Sequence, residues 1–258
     1  MPQTIPMMRY NMTEPEIEIH PLFDLHVGSA EFNERMFGDW RRDILSKPNR
    51  YVVIGGDLTD NGIRSSISSP FEATMSPREQ RMYVADLLEP IKDRILVAIP
   101  GNHEKRSIRE SDTDPVELVM ERLGIHDKYR QHPTYLYIKF PRPSTHTITP
   151  AAYTVFVLHG KAGGAQGGNS LNKGEMLARA LSADLLIAGH SHHPGVMPSI
   201  RYIPNNKGVM CARPMRVMIA TSWLDYGGYG ADAGMAPVPI APNYAVLDGR
   251  EYKMRVVT

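Results

Sequence analysis

At 258 residues, 42% of them hydrophobic, the chain can form one large α/β domain or two small ones with a substantial core. Its 29 basic and 28 acidic residues leave a net charge of +1, which excludes a long phosphate-tracking surface but not a nuclease that grips a few nucleotides. A single cysteine, Cys211, excludes an internal disulfide and fits a reducing compartment. No run approaches membrane-span length, and Met1 to Met12 has no charged region followed by an apolar stretch. A soluble, cytoplasmic protein with no membrane association is expected.

In chain order, Glu16 to His26 begins with alternation and predicts the first strand. Asp24 and His26 are two apart, so on an extended backbone they point the same way, and a carboxylate beside an imidazole suits one divalent cation. Phe32, Met36, Phe37, Trp40, Ile44 and Leu45 recur at helical spacing between Glu31 and Ser46, as a helix packed on a sheet requires. Tyr51 to Ile54 is a short β-branched and aromatic run stopped by Gly55 and Gly56. Asp57 then stands just past the strand's carboxyl end, where open α/β sheets place their ligands. A turn aspartate is commonplace. Four other strand-like runs also end in metal-ligand residue types, however, and Asp57 reads as a carboxylate shared by two metal ions.

Gly62 to Met75 is a serine-rich surface excursion without periodicity. Ser76, Pro77 and Glu79 are a helix start, with a capping serine, proline in the first turn and glutamate at the third position; that helix runs to about Glu89. Arg94 to Ile99 is a buried strand that delivers Asn102 and His103. Asn102 can offer a carbonyl oxygen to a metal or be a plain turn residue, and His103 can donate a proton. Arg106 and Arg109 follow. They can hold substrate phosphate or be solvated charges paired with Glu110 and Asp112. Ser111 to Pro115 opens another helix through about Leu123.

Tyr135 to Phe140 and Tyr153 to Leu158 are strands split by a Pro/Thr-rich loop from Pro141 to Pro150, and the second ends at His159. Lys161 to Ser170 is glycine-rich without the spacing of a phosphate-binding loop, which suggests a lid or a close backbone approach. Lys173 to Ser182 reads as a helix. Asp184 to Ala188 is a strand ending in His190 and His192, which share a face by two-residue spacing, with His193 at the rim. Val196 to Thr258 reads as short strands forming a second sheet that closes a sandwich. Met and Tyr in the last sixty residues fit a subunit interface, hence a homo-oligomer, or equally a sheet core. No repeat or linker divides residues 1–258, so a single domain is expected. His20, His126, His132 and His146 have no motif around them and read as structural or surface residues.

Taken together, Asp24-x-His26, Gly56-Asp57, Gly101-Asn102-His103-Glu104, His159-Gly160 and Gly189-His190-x-His192 resemble, in order, the calcineurin-like metallophosphoesterase superfamily, over roughly residues 16 to 193. The resemblance implies a four-layer αββα sandwich of two mixed sheets flanked by helices, with the site at the strand ends. It assigns Asp24, His26 and His192 to one metal, Asn102, His159 and His190 to the other, and Asp57 to both. His103 would protonate the leaving group or hydrogen-bond a phosphate oxygen, with Thr59 and Asp60 orienting ligands. The mixed carboxylate, imidazole and amide set favours Mn²⁺, with Fe and Zn²⁺ as alternatives.

Departures from the family's patterns narrow the substrate. Asn61 stands where the phosphoprotein phosphatase branch has arginine, and the Asp57 to Gly62 wording is similar to the branch that includes cyclic-nucleotide phosphodiesterases. The lay-out is also similar to nuclease subunits of double-strand-break repair, without the capping domain and coiled-coil-binding segment expected of those. The leading expectation is a nuclease, then a small-nucleotide phosphodiesterase, a phosphomonoesterase and, from a different class, a non-catalytic scaffold.

Overall fold

Side-chain alternation sets the layers of this fold, because its central strands are covered on both faces. The structure, a computed structural model, describes residues 5–63, 66, 72–141, 151–160, 167–232, 234 and 236–258. The first half contains β1 (Met7–Asn11), β2 (Glu16–Leu22), α1 (Glu34–Leu45), β3 (Arg50–Ile54), α2 (Pro77–Leu88), β4 (Ile95–Ala98), α3 (Asn102–Ser111) and α4 (Pro115–Arg122). The second contains β5 (Thr134–Lys139), β6 (Ala152–Val157), α5 (Gly167–Ala180), β7 (Leu185–Ala188), β8 (Gly195–Pro204), β9 (Met210–Ile219), α6 (Gly228–Asp232), β10 (Tyr244–Asp248) and β11 (Lys253–Val257).

Two mixed sheets result. One has six strands in the order β1-β5-β6-β7-β9-β8, the other five in the order β11-β10-β2-β3-β4. Val53 of β3 faces the space between the sheets with Ile17, Ile19, Leu136, Val155, Leu185 and Ile187. Its neighbours Val52 and Ile54 turn the other way, onto Phe37, Trp40 and Ile44 of α1, Val84 and Leu88 of α2, and Val119 of α4. On the opposite outer face Leu186 of β7 and Val217 of β9 pack with Ala178 and Leu177 of α5. The order is therefore helix, sheet, sheet, helix, the four-layer arrangement that the resemblance implies.

Helix starts follow local chemistry. Ser76 accepts from Glu79 N while Glu79 returns to the Ser76 N–H at 2.8 Å, a complete capping box with Pro77 in the first turn. Asn33 caps α1 and Asp114 caps α4.

Several expectations change. β1, which the sequence reading passed over, pairs in parallel with β5 and forms the edge of the six-stranded sheet. The C-terminal region does not make a sheet of its own. β8 and β9 form a ten-residue-per-strand hairpin that joins β7 in one sheet, and β10 joins β2 in the other. The apolar end of β9, Val217 to Ile219, is what pairs with β7, and register with a buried neighbour overrides proximity in sequence. Of the C-terminal Met and Tyr residues, Met215, Met218 and Met254 are buried, whereas Tyr202, Met210 and Tyr226 are exposed. The Pro141–Pro150 loop beyond Pro141, half of the Gly62–Met75 excursion and residues 161–166 of the glycine-rich stretch lie outside the described residues. Gly167 to Ser170 belong to α5, so that half of the expected lid is helix. Among the described residues no helix is long and apolar enough to cross a membrane.

A polar cluster lies beneath the five-stranded sheet. Glu18 and His20 of β2 are buried, with His20 Nε2 3.2 Å from Glu18 Oε2. Arg50 Nε donates to the same Glu18 oxygen at 2.7 Å and pairs with Asp43 of α1. The Tyr244 ring stacks on the imidazole at 4.6 Å. Burial drives the His20 pKa down to about 4, against the pull of Glu18. Between that value and the ordinary one near 6.5 the unfolded chain binds a proton that the folded chain refuses. Stability therefore falls as pH drops from about 6.5 to about 4, by up to about 3 kcal/mol from this group. Urea titrations at pH 7, 5.5 and 4.5 should show that part of the pH dependence vanish in His20→Gln; an unchanged slope contradicts it.

Candidate metal centre

Five strand ends meet at one edge of the sandwich. Asp24 and His26 follow β2, Asp57 follows β3, Asn102 and His103 open α3 after β4, His159 follows β6, and His190 and His192 follow β7. The loops after β2 and β3 run side by side. Asp24 N donates to Gly56 O at 3.1 Å, His26 N to Asp57 O at 3.0 Å and Val27 N to Leu58 O at 3.0 Å. Trp223 N holds the Asp24 carbonyl at 3.1 Å.

The backbone at these positions is not extended. Asp24, His26, Asp57, His190 and His192 have φ of 51°, 48°, 52°, 66° and 56°, the left-handed region that non-glycine residues rarely adopt. Two-residue spacing therefore does not put these side chains on a shared strand face, as the extended-backbone reading expected. His190 and His192 go to different groups. His192 joins Asp24 and His26, and His190 joins Asp57 and His159.

Each buried carboxylate has one oxygen anchored and one offered. Asp24 Oδ2 accepts from His190 N at 2.8 Å, and Asp57 Oδ1 accepts from His103 N at 2.9 Å. Asp24 Oδ1 has no hydrogen-bond partner although fully buried, and lies 3.5 Å from His192 Nε2 and 3.9 Å from His26 Nε2. Asp57 Oδ2 lies 3.2 Å from His159 Nε2 and 3.9 Å from His26 Nε2, between the two groups. Asn102 Oδ1 is 2.8 Å from His159 Nε2. It is the first residue of α3, not a turn residue.

The imidazoles face one another: His26 Nε2 is 3.3 Å from His192 Nε2, and His159 Nε2 is 3.2 Å from His190 Nδ1. His159 Nδ1 is 2.8 Å from the Gly55 carbonyl and donates to it, which directs Nε2 toward the site. An orphaned carboxylate oxygen, facing imidazole nitrogens and an amide oxygen together fit divalent cations.

The calcineurin-like phosphoesterase family model matches residues 24–194, from the first of these residues to just beyond the last. This chain belongs to that family. It is a metal-dependent phosphoesterase. A comparison with curated proteins finds no match. Among solved structures this phosphoesterase is similar to Vacuolar Protein Sorting 29 from Cryptosporidium parvum, at 14% identity and a TM-score of 0.41, covering 95% of this chain and 97% of that one. It is also similar to a predicted phosphoesterase from Streptococcus pneumoniae, at 13% identity and a TM-score of 0.39, with 95% and 91% covered. A third likeness is to the calcineurin-like phosphoesterase YfkN from Bacillus subtilis, at 12% identity and a TM-score of 0.35, with 93% and 88% covered.

The electrostatics of the phosphoesterase site follow from burial and neighbours. Burial alone raises a carboxyl pKa, but the surrounding imidazoles outweigh it and hold Asp24 below, and Asp57 well below, the usual range. Burial lowers the pKa of His190 and holds that of His26 well below the usual imidazole range. For His159 burial lowers the pKa, yet the Asp57 carboxylate prevails and lifts it to about 9. Glu104, fully buried close to Asp57, is pushed up to about 7 by desolvation and then by that charge.

His103 sits above the two groups. Its Nδ1 donates to the Asp60 carbonyl at 2.6 Å, and its Nε2 lies 3.9 Å from Asp57 Oδ2. The Asn61 amide donates to His103 O at 2.7 Å and to Ser107 Oγ at 2.9 Å, so this residue ties the loop to α3 and is not turned into the site. Arg106 and Arg109 both lie on α3. Arg106 is half-buried and donates to Ser66 Oγ at 3.2 Å. Arg109 is exposed, about 10 Å along the helix from Asn102 by the usual rise. Among the described residues neither pairs with Glu110 or Asp112. His193 is half-buried at the rim with Nδ1 2.6 Å from Ser191 O, and His126 pairs with Glu117 on the surface. His146 lies outside the described residues.

Sequence reasoning included Glu104 in the Gly101-Asn102-His103-Glu104 motif but gave it no role; its carboxylate binds the loop after β3. It stands at the third position of α3, from which a glutamate reaches back to the N–H of the residue before the helix, here Gly101 at 2.9 Å, a position legible once the helix is placed at Asn102. Gly56 marks the close approach of the two loops: its φ is +93°, and a Cβ there would overlap the backbone of Gly101. Gly56→Ala should lower stability by about 2 kcal/mol or more. Urea unfolding of the metal-free protein measures this, and a loss below half that value contradicts it.

Proposed function

We propose that this phosphoesterase is a dinuclear phosphodiesterase acting on nucleic acid, with Asp24, His26 and His192 holding one ion, Asn102, His159 and His190 the other, and Asp57 both. The observation that carries the reading is the position of Asp57 Oδ2 between the two histidine groups. When bound, divalent ions at these residues would neutralise phosphate charge and supply a nucleophile at neutral pH. The mixed donor set favours Mn²⁺, with Fe and Zn²⁺ as alternatives.

The chain's own residues do the rest. His103 has its Nδ1 proton committed to Asp60, so Nε2 is the atom that can give a proton to the leaving alkoxide or a hydrogen bond to a phosphate oxygen. Arg106 and Arg109 extend along α3 from the site and would take phosphates flanking the scissile one. Asn61, engaged with α3, cannot supply the arginine clamp of the phosphoprotein phosphatase branch. A small-nucleotide diester is the second reading, favoured by the net charge of +1. The presence of all seven ligand candidates and His103 at one edge argues against a scaffold that has lost its chemistry.

The test is to incubate Mn²⁺-loaded protein with end-labelled single- and double-stranded DNA, RNA, and 2′,3′- and 3′,5′-cyclic nucleotides. Polynucleotide cleavage absent in Asp57→Asn is expected; turnover of cyclic nucleotides alone selects the second reading. Asp57→Asn should also lose cooperative metal binding, and wild-type turnover in that variant refutes the bridging role. His103→Gln should keep its metal content, read by elemental analysis, while turnover falls about 10²–10⁴-fold. Metal loss in that variant would make His103 a ligand.

A further inference from the structure

Glu104 is fully buried, and nothing in the proposed chemistry uses it. Its two oxygens accept four peptide N–H groups. Oε2 takes Gly101 N at 2.9 Å and Asp57 N at 2.8 Å; Oε1 takes Leu58 N at 2.9 Å and Thr59 N at 3.3 Å. The bond to Gly101 closes the cap of its own helix. The other three cross to the loop after β3, 45 to 47 residues away in sequence.

Two of those donors flank one residue. Asp57 N belongs to the peptide before the Asp57 Cα and Leu58 N to the peptide after it, so holding both holds Asp57 φ and ψ together. That conformation, φ 52°, is uncommon for any residue with a side chain, although aspartate tolerates it better than most. It is also the conformation from which Asp57 Oδ2 faces both histidine groups. We infer that Glu104 is the positioning residue that holds Asp57 in its left-handed conformation, with its carboxylate directed between the two candidate metal sites. The inference rests on the reading of Asp57 as a metal ligand.

Chemistry at the site explains why a glutamate is needed. The converging peptide N–H groups favour the ionised form, in which both oxygens accept and neither donates, against the burial and the Asp57 charge that push the group up. A glutamine would set its amide hydrogens against two peptide N–H groups in either orientation. An aspartate would keep the charge but leave it one methylene short of a loop whose backbone already lies against Pro100 and Gly101 with no room for a Cβ. The packing that excludes side chains between the loops also keeps water from replacing the lost bonds.

The experiment compares wild type, Glu104→Gln, Glu104→Asp and, as a control, Asp114→Ala, which removes the α4 cap and its bond to Tyr129; Asp114 is a carboxylate near Glu104 that makes no hydrogen bond to the loop after β3 among the described residues. Hydrogen exchange of the Asp57, Leu58 and Thr59 amides is followed in metal-free protein, and Mn²⁺ binding is titrated by calorimetry. Glu104→Gln should speed exchange at these amides at least about tenfold and weaken Mn²⁺ binding about 10–100-fold. Asp114→Ala should lower the melting temperature while Mn²⁺ affinity stays at the wild-type value. Wild-type affinity in Glu104→Gln, or an equal loss in Asp114→Ala, overturns the inference. Should Glu104→Gln not fold, Glu104→Asp carries the test: about a tenfold loss with faster exchange is expected, and wild-type behaviour in both overturns it. A wild-type protein that takes up no Mn²⁺ sinks the metal reading, and the exchange comparison then still decides whether Glu104 holds the loop.

Discussion

Asp24 and Asp57 carry like charges side by side where solvent does not reach, and ionised carboxylates at such depth cost many kcal/mol unless compensated. Compensation comes in two forms. A peptide N–H satisfies one oxygen of each, from His190 on Asp24 and from His103 on Asp57. The other oxygens are left to a ring of imidazoles, His26 from the loop after β2 itself and the rest from three further strand ends. Everything else in the fold that bears on the site serves this arrangement: two sheets back to back, their strand ends at one edge, and loops held in left-handed turns that no extended strand could supply.

That arrangement explains why the site tolerates so little free space. The loops after β3 and β4 meet backbone to backbone, with glycines at Gly56 and Gly101 because a Cβ on either would collide with the other loop. The same segments are cross-tied by Glu104, by His103 and by Asn61. A carboxylate proposed to bridge two ions would need its position set to about a few tenths of an ångström, and several short bonds between two rigid strand ends set it better than one loop could. Arg106 and Arg109, further out on α3, are under no such constraint, which suits residues that would meet a variable substrate.

Much of the centre was legible in the sequence. Strands covered on both faces are continuous apolar runs, so Val52 to Ile54, Ile95 to Ala98 and Leu185 to Ala188 announce themselves, and the polar residue types just beyond them stand out. Other features depend on partners distant in the chain. β1 is a short, partly exposed edge whose strand character comes from β5. The long β8–β9 hairpin reads locally as fragments because Pro198, Pro204 and Pro214 interrupt it. Glu104 differs from its solvated neighbours only in what surrounds it.

From its sequence alone the chain determined which metal-ligand residue types follow which strands, since residue type and apolar pattern are local properties. Tertiary structure decided how those side chains meet. The separation of His190 from His192, the left-handed backbone under Asp57 and the grip of Glu104 all arise from bonds between segments far apart in sequence. No local pattern encodes such bonds, because each depends on the geometry of a partner that is in place only when both sheets have formed.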